Sequence, residues 1–122
     1  MPRILVVDDD DLVRSMLTQM MAEAGYEVTA AADGNACLRT YRDNPADLII
    51  MDIVMPEKDG WEAIVELRQD FPDSRIIAIS GGARTGPYGY LALAKRFGAQ
   101  RVFAKPIQKR ELLQAVRELL EE

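Results

Sequence analysis

Five short apolar runs that alternate with amphipathic segments constrain the fold of this 122-residue sequence more than any other feature. The runs are continuous rather than alternating in polarity, which is typical of strands covered on both faces in parallel sheets. In chain order they are residues 4–7, 26–31, 48–51, 75–80 and 101–104, of which the second gives the weakest signal. We therefore predict five strands in a sheet with helices on both faces.

Between the runs, apolar residues recur at the helical period of 3.6, which predicts five helices. The first carries a stripe that we expect to lie in the core: Leu12, Val13, Met16, Leu17, Met20 and Met21. The acids at 10–11 are expected to open this helix, Asp33 to cap the second and Asp59 to cap the third. The fourth helix is predicted over 88–97, and the fifth from an apolar stripe at 112–120.

The resulting order, βαβαβαβαβα, predicts an α/β fold with a doubly wound parallel sheet, because crossover connections are right-handed. The length is that of one domain, and we expect residues 1–122 to form it without a linker or a repeat. If the strand order is 2-1-3-4-5, the first and third strands are neighbours where the order reverses. Ligands bind at such a point, beyond the carboxyl ends of the strands.

Composition excludes several classes of protein. The net charge of −5 argues against direct binding to nucleic acid, which needs a basic face. No apolar run approaches the roughly 20 residues of a membrane span, and no signal peptide is visible. Cys37 is the only cysteine, expected to be a small core residue, so no internal disulfide is possible and a cytoplasmic location is expected. The chain has no histidine, the commonest general base.

Polar residues collect at the carboxyl ends of the predicted strands. Asp8 and Asp9 follow the first strand, Asp52 the third, Ser80 closes the fourth, and Lys105 follows the fifth. Three converging carboxylates repel one another unless a cation lies among them, and their hard oxygens suit Mg²⁺. A carboxylate can also act as a nucleophile towards a phosphoryl group, whose charge a metal ion and an ammonium would neutralise.

Four segments at these strand ends together resemble a known family. They are Ile-Leu-Val-Val-Asp-Asp at 4–9, Met-Asp-Ile-Val-Met-Pro-Glu-Lys-Asp-Gly at 51–60, Ile-Ser-Gly-Gly at 79–82 and Ala-Lys-Pro at 104–106. In this order they resemble the receiver domain of two-component response regulators, and the likeness covers the whole chain. The resemblance implies a flavodoxin-like fold with strand order 2-1-3-4-5. It also implies a phosphoprotein that works in a phosphorelay and is not an enzyme.

The resemblance implies a role for each acidic residue. Asp52 matches the aspartate that accepts a phosphoryl group from a histidine kinase or a phosphotransfer protein. Asp8 and Asp9 match the acidic pair that binds Mg²⁺ together with Asp52. The backbone carbonyl of Val54 matches the remaining protein ligand. The expected cofactor is therefore Mg²⁺.

The other matching positions imply a switch. Ser80 matches the hydroxyl that moves towards the phosphoryl group, Lys105 matches the lysine that binds it, and the family usually has a cis bond before the position of Pro106. The family often has an aromatic residue at the position of Val102. Because neighbouring strand residues face opposite sides, Phe103 is not expected to replace it.

The segment 81–89 is rich in glycine and looks longer than in chemotaxis-type receivers. It begins the expected signalling surface, formed with the fourth and fifth helices, on which a downstream protein would bind. We expect a single-domain regulator, because the chain starts at Met1 and finishes with acids. A receiver excised from a larger regulator or hybrid kinase is the alternative.

Two other classes fit less well. A Mg²⁺-dependent phosphohydrolase with an aspartyl-phosphate intermediate usually has a second acid where this chain has Val54. A flavodoxin-like binder of small molecules needs a phosphate-cradling loop after the first strand, where the acids at 8–11 would repel a phosphate without a metal ion.

Overall fold

The computed structural model describes residues 1–53, 60–81, 92, 95–96 and 98–121. In chain order its elements are β1 Arg3–Val7, α1 Asp11–Glu23, β2 Glu27–Ala31, α2 Gly34–Asp43, β3 Leu48–Asp52, α3 Gly60–Asp70, β4 Ile76–Ser80, β5 Arg101–Ala104 and α4 Lys109–Glu121. Each strand begins and ends within one residue of its predicted limits. The C-terminal helix α4 is the fifth predicted helix.

The five strands form one parallel sheet in the order β2-β1-β3-β4-β5. All residues of β3 and β4 are buried, and in β1 only Arg3 is not fully covered. This burial on both faces explains why these strands are continuous apolar runs. The predicted strand order is confirmed, and the order reverses between β1 and β3.

The core consists of two clusters, one on each face of the sheet. Leu5 and Val7 pack with buried side chains of α2 and α3, whereas Ile4 and Val6 pack with those of α1 and α4. Successive strand residues point to opposite faces, so β1 contributes to both clusters. The prediction of helices on both faces is confirmed. Cys37 lies fully buried in the first cluster, as expected.

The α1 stripe is only partly in the core, so this prediction is wrong at two positions. Leu17, Met20 and Met21 are buried, but Leu12 is 83% exposed and Met16 46% exposed. At 100° per residue the six-residue stripe covers about half of the helix circumference, which is wider than the surface that contacts the sheet. Leu12 and Met16 lie at the edge of the stripe that faces outward.

The ends of α1 and α2 follow the predicted signals. Asp10 caps α1, since its side-chain Oδ1 accepts a hydrogen bond from the amide of Leu12 at 2.9 Å. Asp33 caps α2 in the same way by accepting from the amide of Ala36 at 2.8 Å. Gly25, with φ of +97°, follows the last turn of α1, in a conformation that favours glycine.

Some predictions fall on residues outside the described ranges. The cap at Asp59 and most of the helix over 88–97 are among them, although positions 92, 95 and 96 are described and helical. In β5, Val102 packs against the α2 and α3 cluster and Phe103 against the α1 and α4 cluster, so the two face opposite sides as expected. No helix within the described ranges is long and apolar enough to cross a membrane.

We predict that Asp33→Ala lowers the free energy of unfolding by about 1 kcal/mol, because the amide of Ala36 loses its capping partner. The matched control is Asp43→Ala at the other end of the same helix, where a carboxylate opposes the helix dipole. The control is expected to leave stability unchanged or slightly higher. Urea denaturation measures both, and equal losses would contradict the capping role.

Candidate metal and phosphoryl-acceptor site

The carboxyl ends of β1 and β3 bring two aspartates together in the core of the protein. Val7 pairs with Met51, so the next residues, Asp8 and Asp52, lie side by side. Asp8 is completely buried and Asp52 is 4% exposed. With the exposed Asp9, they place one carboxylate oxygen each within 4.8 Å of the others. The predicted convergence of the three acids is therefore confirmed.

Hydrogen bonds to Asp8 fix the turn between β1 and α1. The amide of Asp10 donates to Oδ1 of Asp8 at 2.9 Å, and the guanidinium of Arg14 donates to the Asp8 backbone carbonyl, also at 2.9 Å. Arg14 also pairs with Asp11 one helical turn earlier. Arg14 is a site residue that strand-end reasoning does not find, because its role depends on the path of the turn. Its only sequence signal is its spacing from Asp11.

Lys105 reaches this acidic site from the end of β5. Its Nζ lies 3.2 Å from Oδ2 of Asp52 and 3.3 Å from Oδ2 of Asp8. Its backbone amide donates to the carbonyl of Ser80 at 3.0 Å, which extends the pairing of β4 with β5 by one residue. The peptide bond between Lys105 and Pro106 is cis, as the resemblance implies.

Ser80 and Gly81 complete the described part of this edge. Ser80 is buried and follows Ile79, which pairs with Asp52, so its hydroxyl belongs to the same edge of the sheet. A Cβ atom on Gly81 would lie 3.2 Å from Cδ of Lys105. Glycine therefore leaves room for the lysine side chain at this position.

The charges at the site are only partly balanced. Burial lowers the pKa of Lys105, but the carboxylates of Asp52 and Asp8 raise it by more, so the pKa lies above the ordinary value of 10.5. Lys105 is therefore charged at neutral pH. While the carboxylates are ionised, the contribution of the Lys105 charge to stability is complete below pH 10.5, and it is lost as the pH rises through the raised pKa.

The donor set fits a hard divalent cation. Oδ2 of Asp8 is buried, and although Lys105 is close, no described group donates a well-formed hydrogen bond to it. Among the described residues, three carboxylates face one ammonium, which leaves an excess of negative charge that a Mg²⁺ ion would neutralise. Asp8, Asp9 and Asp52 are the described residues that would hold such an ion. The predicted fourth ligand, the carbonyl of Val54, lies outside the described ranges.

Comparison with known proteins agrees with this geometry. The family described as "Response regulator receiver domain" matches residues 4–117. The chain is 35% identical over 119 residues to the chemotaxis protein CheY of Bacillus subtilis, covering 97% of each chain. It is also 37% identical over 117 residues to the transcriptional regulator NtrC of Azospirillum brasilense, covering 96% of this chain but 24% of that protein.

Solved structures give the same result. The response regulator TrrA of Thermotoga maritima, in complex with Mg²⁺-BeF, is 32% identical and superposes with a TM-score of 0.86 over 98% of this chain and 99% of that one. A CheY-like receiver from Methanospirillum hungatei is 28% identical, with a TM-score of 0.91 over 99% of this chain and 94% of that one. Sequence and structure therefore agree that this chain belongs to the family of response regulator receiver domains.

Proposed function

We propose that this receiver domain is a switch that accepts a phosphoryl group on Asp52 in the presence of Mg²⁺. The observation that carries the proposal is the convergence of Asp52 with Asp8, Asp9 and Lys105. Burying carboxylates has a desolvation cost, and clusters of buried ionisable groups with a specific charged partner are typical of functional sites. Among the three acids, Asp52 is the one at the end of the central strand β3, and like Asp8 it contacts Lys105.

In the proposed transfer, an oxygen of Asp52 attacks the phosphorus of a phosphohistidine on the donor protein. The phosphorus–nitrogen bond breaks, the imidazole leaves with the bonding electron pair and takes up a proton, and an acyl phosphate forms on Asp52. Lys105 would exchange its contact with Asp52 for one with a phosphoryl oxygen, since both are anionic oxygens at its Nζ. A bound Mg²⁺ would neutralise charge on the transferring phosphoryl group.

We assign the remaining roles from the place of each residue at the carboxyl ends of the strands. We assign Mg²⁺ binding to Asp8, Asp9, Asp52 and the carbonyl of Val54. Ser80 would donate its hydroxyl to the phosphoryl group, because β4 ends beside Asp52. These roles are regulatory rather than enzymatic, in keeping with the family.

The phosphodonor is proposed to be a protein, either a histidine kinase or a phosphotransfer protein. Leu12 and Met16 lie one turn apart on the outer side of α1, next to the turn that holds Asp9, and both are exposed. Met16 also lines a groove of about 360 Å³ together with Ile107 and Lys109. Exposed apolar side chains gathered beside a reactive group are typical of a protein-binding surface. We call Leu12 and Met16 the α1 patch.

The output is proposed to be a change in binding to a downstream protein through the predicted fourth helix and α4. The proposal includes a cytoplasmic location. It includes no direct binding to nucleic acid or to a membrane. The coverage of 97% of a CheY supports a single-domain regulator. The coverage of 24% of NtrC supports the alternative, a receiver within a larger regulator or hybrid kinase.

We predict that acetyl phosphate and Mg²⁺ add one phosphoryl group to the wild type, as seen by intact-mass spectrometry. Asp52→Asn is expected to show no adduct, because an amide is not a comparable nucleophile. The control is Asp70→Asn, which removes an exposed carboxylate that pairs with Arg42 on the surface and is expected to change nothing. An adduct of equal yield in Asp52→Asn would exclude Asp52 as the acceptor.

We also predict that a substitution on the surface of α1 affects a protein phosphodonor but not a small-molecule phosphodonor. Leu12→Ser is expected to slow phosphotransfer from the phosphorylated helical domain of a histidine kinase at least fivefold, because a well-placed apolar contact contributes about 1 kcal/mol or more. Phosphorylation by acetyl phosphate should be unchanged, since this donor needs no docking surface. Gln69→Ser, on the exposed side of α3, is the control. Equal slowing with both donors would show that Leu12 acts on the site itself and not on docking.

A further inference from the structure

Arg68 uses all of its donors in hydrogen bonds to the segments that precede β4 and β5. It lies in the last turn of α3, and each of its hydrogen bonds goes to a neutral oxygen. The carbonyl of Gly98 accepts from Nε at 3.0 Å and from Nη2 at 2.8 Å. Nη2 also donates to Oε1 of Gln100 at 2.9 Å. Nη1 donates to the carbonyl of Pro72 at 2.9 Å and to Oγ of Ser74 at 3.2 Å. These five bonds match the five N–H groups of a guanidinium. A lysine could not reproduce this planar set.

Gln100 connects Arg68 to the first rung between β4 and β5. Its Oε1 accepts from the amide of Ile76 at 2.8 Å, and its Nε2 donates to the carbonyl of Ser74 at 3.2 Å. Its backbone amide donates to the carbonyl of Ile76 at 2.9 Å. The residue directly before β5 is thus bound to the start of β4 through both its backbone and its side chain.

Gly98 is required by the close approach of Arg68. Its φ is +126°, a conformation that side chains other than glycine rarely adopt. A Cβ atom there would also lie 2.6 Å from Nε and 2.7 Å from Cγ of Arg68, which is too close for any real contact. The arginine, the glycine and the glutamine therefore fit one another, and we call Arg68, Gly98 and Gln100 the register clamp.

β5 is the element whose position the register clamp determines. It is an edge strand of four residues, Arg101–Ala104, and none of them is fully buried, so packing specifies its register weakly. The strand ends directly at Lys105, whose Nζ must stay about 3 Å from Asp52. A slip by one residue would move Lys105 by about 3.3 Å and turn the strand over.

We propose that Arg68 is a positioning residue for phosphoryl transfer. Through Gln100 it fixes the register of β5 and so holds Lys105 at the acidic site, although it lies at the opposite end of the sheet. The inference rests on the proposed function in one respect, the role of Lys105 in phosphorylation. It goes beyond that function by assigning a task to residues that contact neither the metal ligands nor Lys105.

The test is a double-mutant cycle between Arg68→Met and Lys105→Met, with acetyl phosphate and Mg²⁺ as the probe. Arg68→Met alone is expected to slow phosphorylation about tenfold, the size typical of a residue that orients a reactive group. In the Lys105→Met background it should have little further effect, because the residue that it positions is already absent. Mg²⁺ affinity should change less than about twofold, since the carboxylates lie on β1 and β3.

Two further variants keep the proposal open to contradiction. Arg42→Met removes an arginine that pairs with Asp70 on the surface, outside the register clamp, and should leave the rate unchanged. Gln100→Ala removes the side chain through which Arg68 acts, so it should slow phosphorylation by a similar factor, and it serves if Arg68→Met does not fold. A loss that is just as large in the Lys105→Met background, an equal loss of Mg²⁺ affinity, or no loss at all would overturn the proposal.

Amide hydrogen exchange separates failure of this proposal from failure of the proposed function. The amide of Lys105, which donates to the carbonyl of Ser80, should exchange about tenfold faster in Arg68→Met, because the strand end is no longer fixed. If the wild type accepts no phosphoryl group, the proposed function is wrong, and this exchange rate still tests the clamp. Unchanged exchange at Lys105 would refute it in either case.

Discussion

The contacts of the Lys105 ammonium with the carboxylates of Asp52 and Asp8, at 3.2 and 3.3 Å, hold the three strand ends of the acidic site together. Two carboxylates with almost no exposed surface would be strongly unfavourable side by side without a cation. The ammonium of Lys105 offsets part of this repulsion. Because the carboxylate of Asp9 lies at the same site, the four described groups still carry a net negative charge. The remaining negative charge suits a divalent cation, and in the proposed function a transferring phosphoryl group would meet both cations.

The topology of the parallel sheet brings these charged groups together at one edge. Parallel strands end at the same edge of the sheet, so three strands can each contribute one polar residue there while their other residues stay in the core. The two apolar clusters hold the central strands firmly. β5 is different, because it lies at the edge and carries the lysine at its end. Its hydrogen-bonded anchors, at Gln100 and at Ser80, take the place of burial.

Most of the fold could be predicted from the sequence because burial on both faces of a strand leaves a direct signature. The runs at 48–51 and 75–80 are examples, and helix signals such as Asp33 worked because they act within a few residues. The acidic site could be predicted for the same reason, since its residues directly follow strands. The exposure of Leu12 could not, because periodicity gives the direction of a helix face but not the width of its contact.

The network around Arg68 was also beyond prediction, because it joins residues about 30 apart in sequence through carbonyl and amide oxygens that any sequence offers. The charge imbalance at the acidic site can be measured as the dependence of the free energy of unfolding in urea on Mg²⁺ concentration. For the wild type this free energy should rise by about 1.4 kcal/mol per tenfold increase above the dissociation constant. In Asp9→Asn, which removes an exposed carboxylate of the proposed metal site with little effect on packing, this rise should be absent. A parallel rise in the mutant, or a rise that NaCl of equal ionic strength reproduces, would contradict the account.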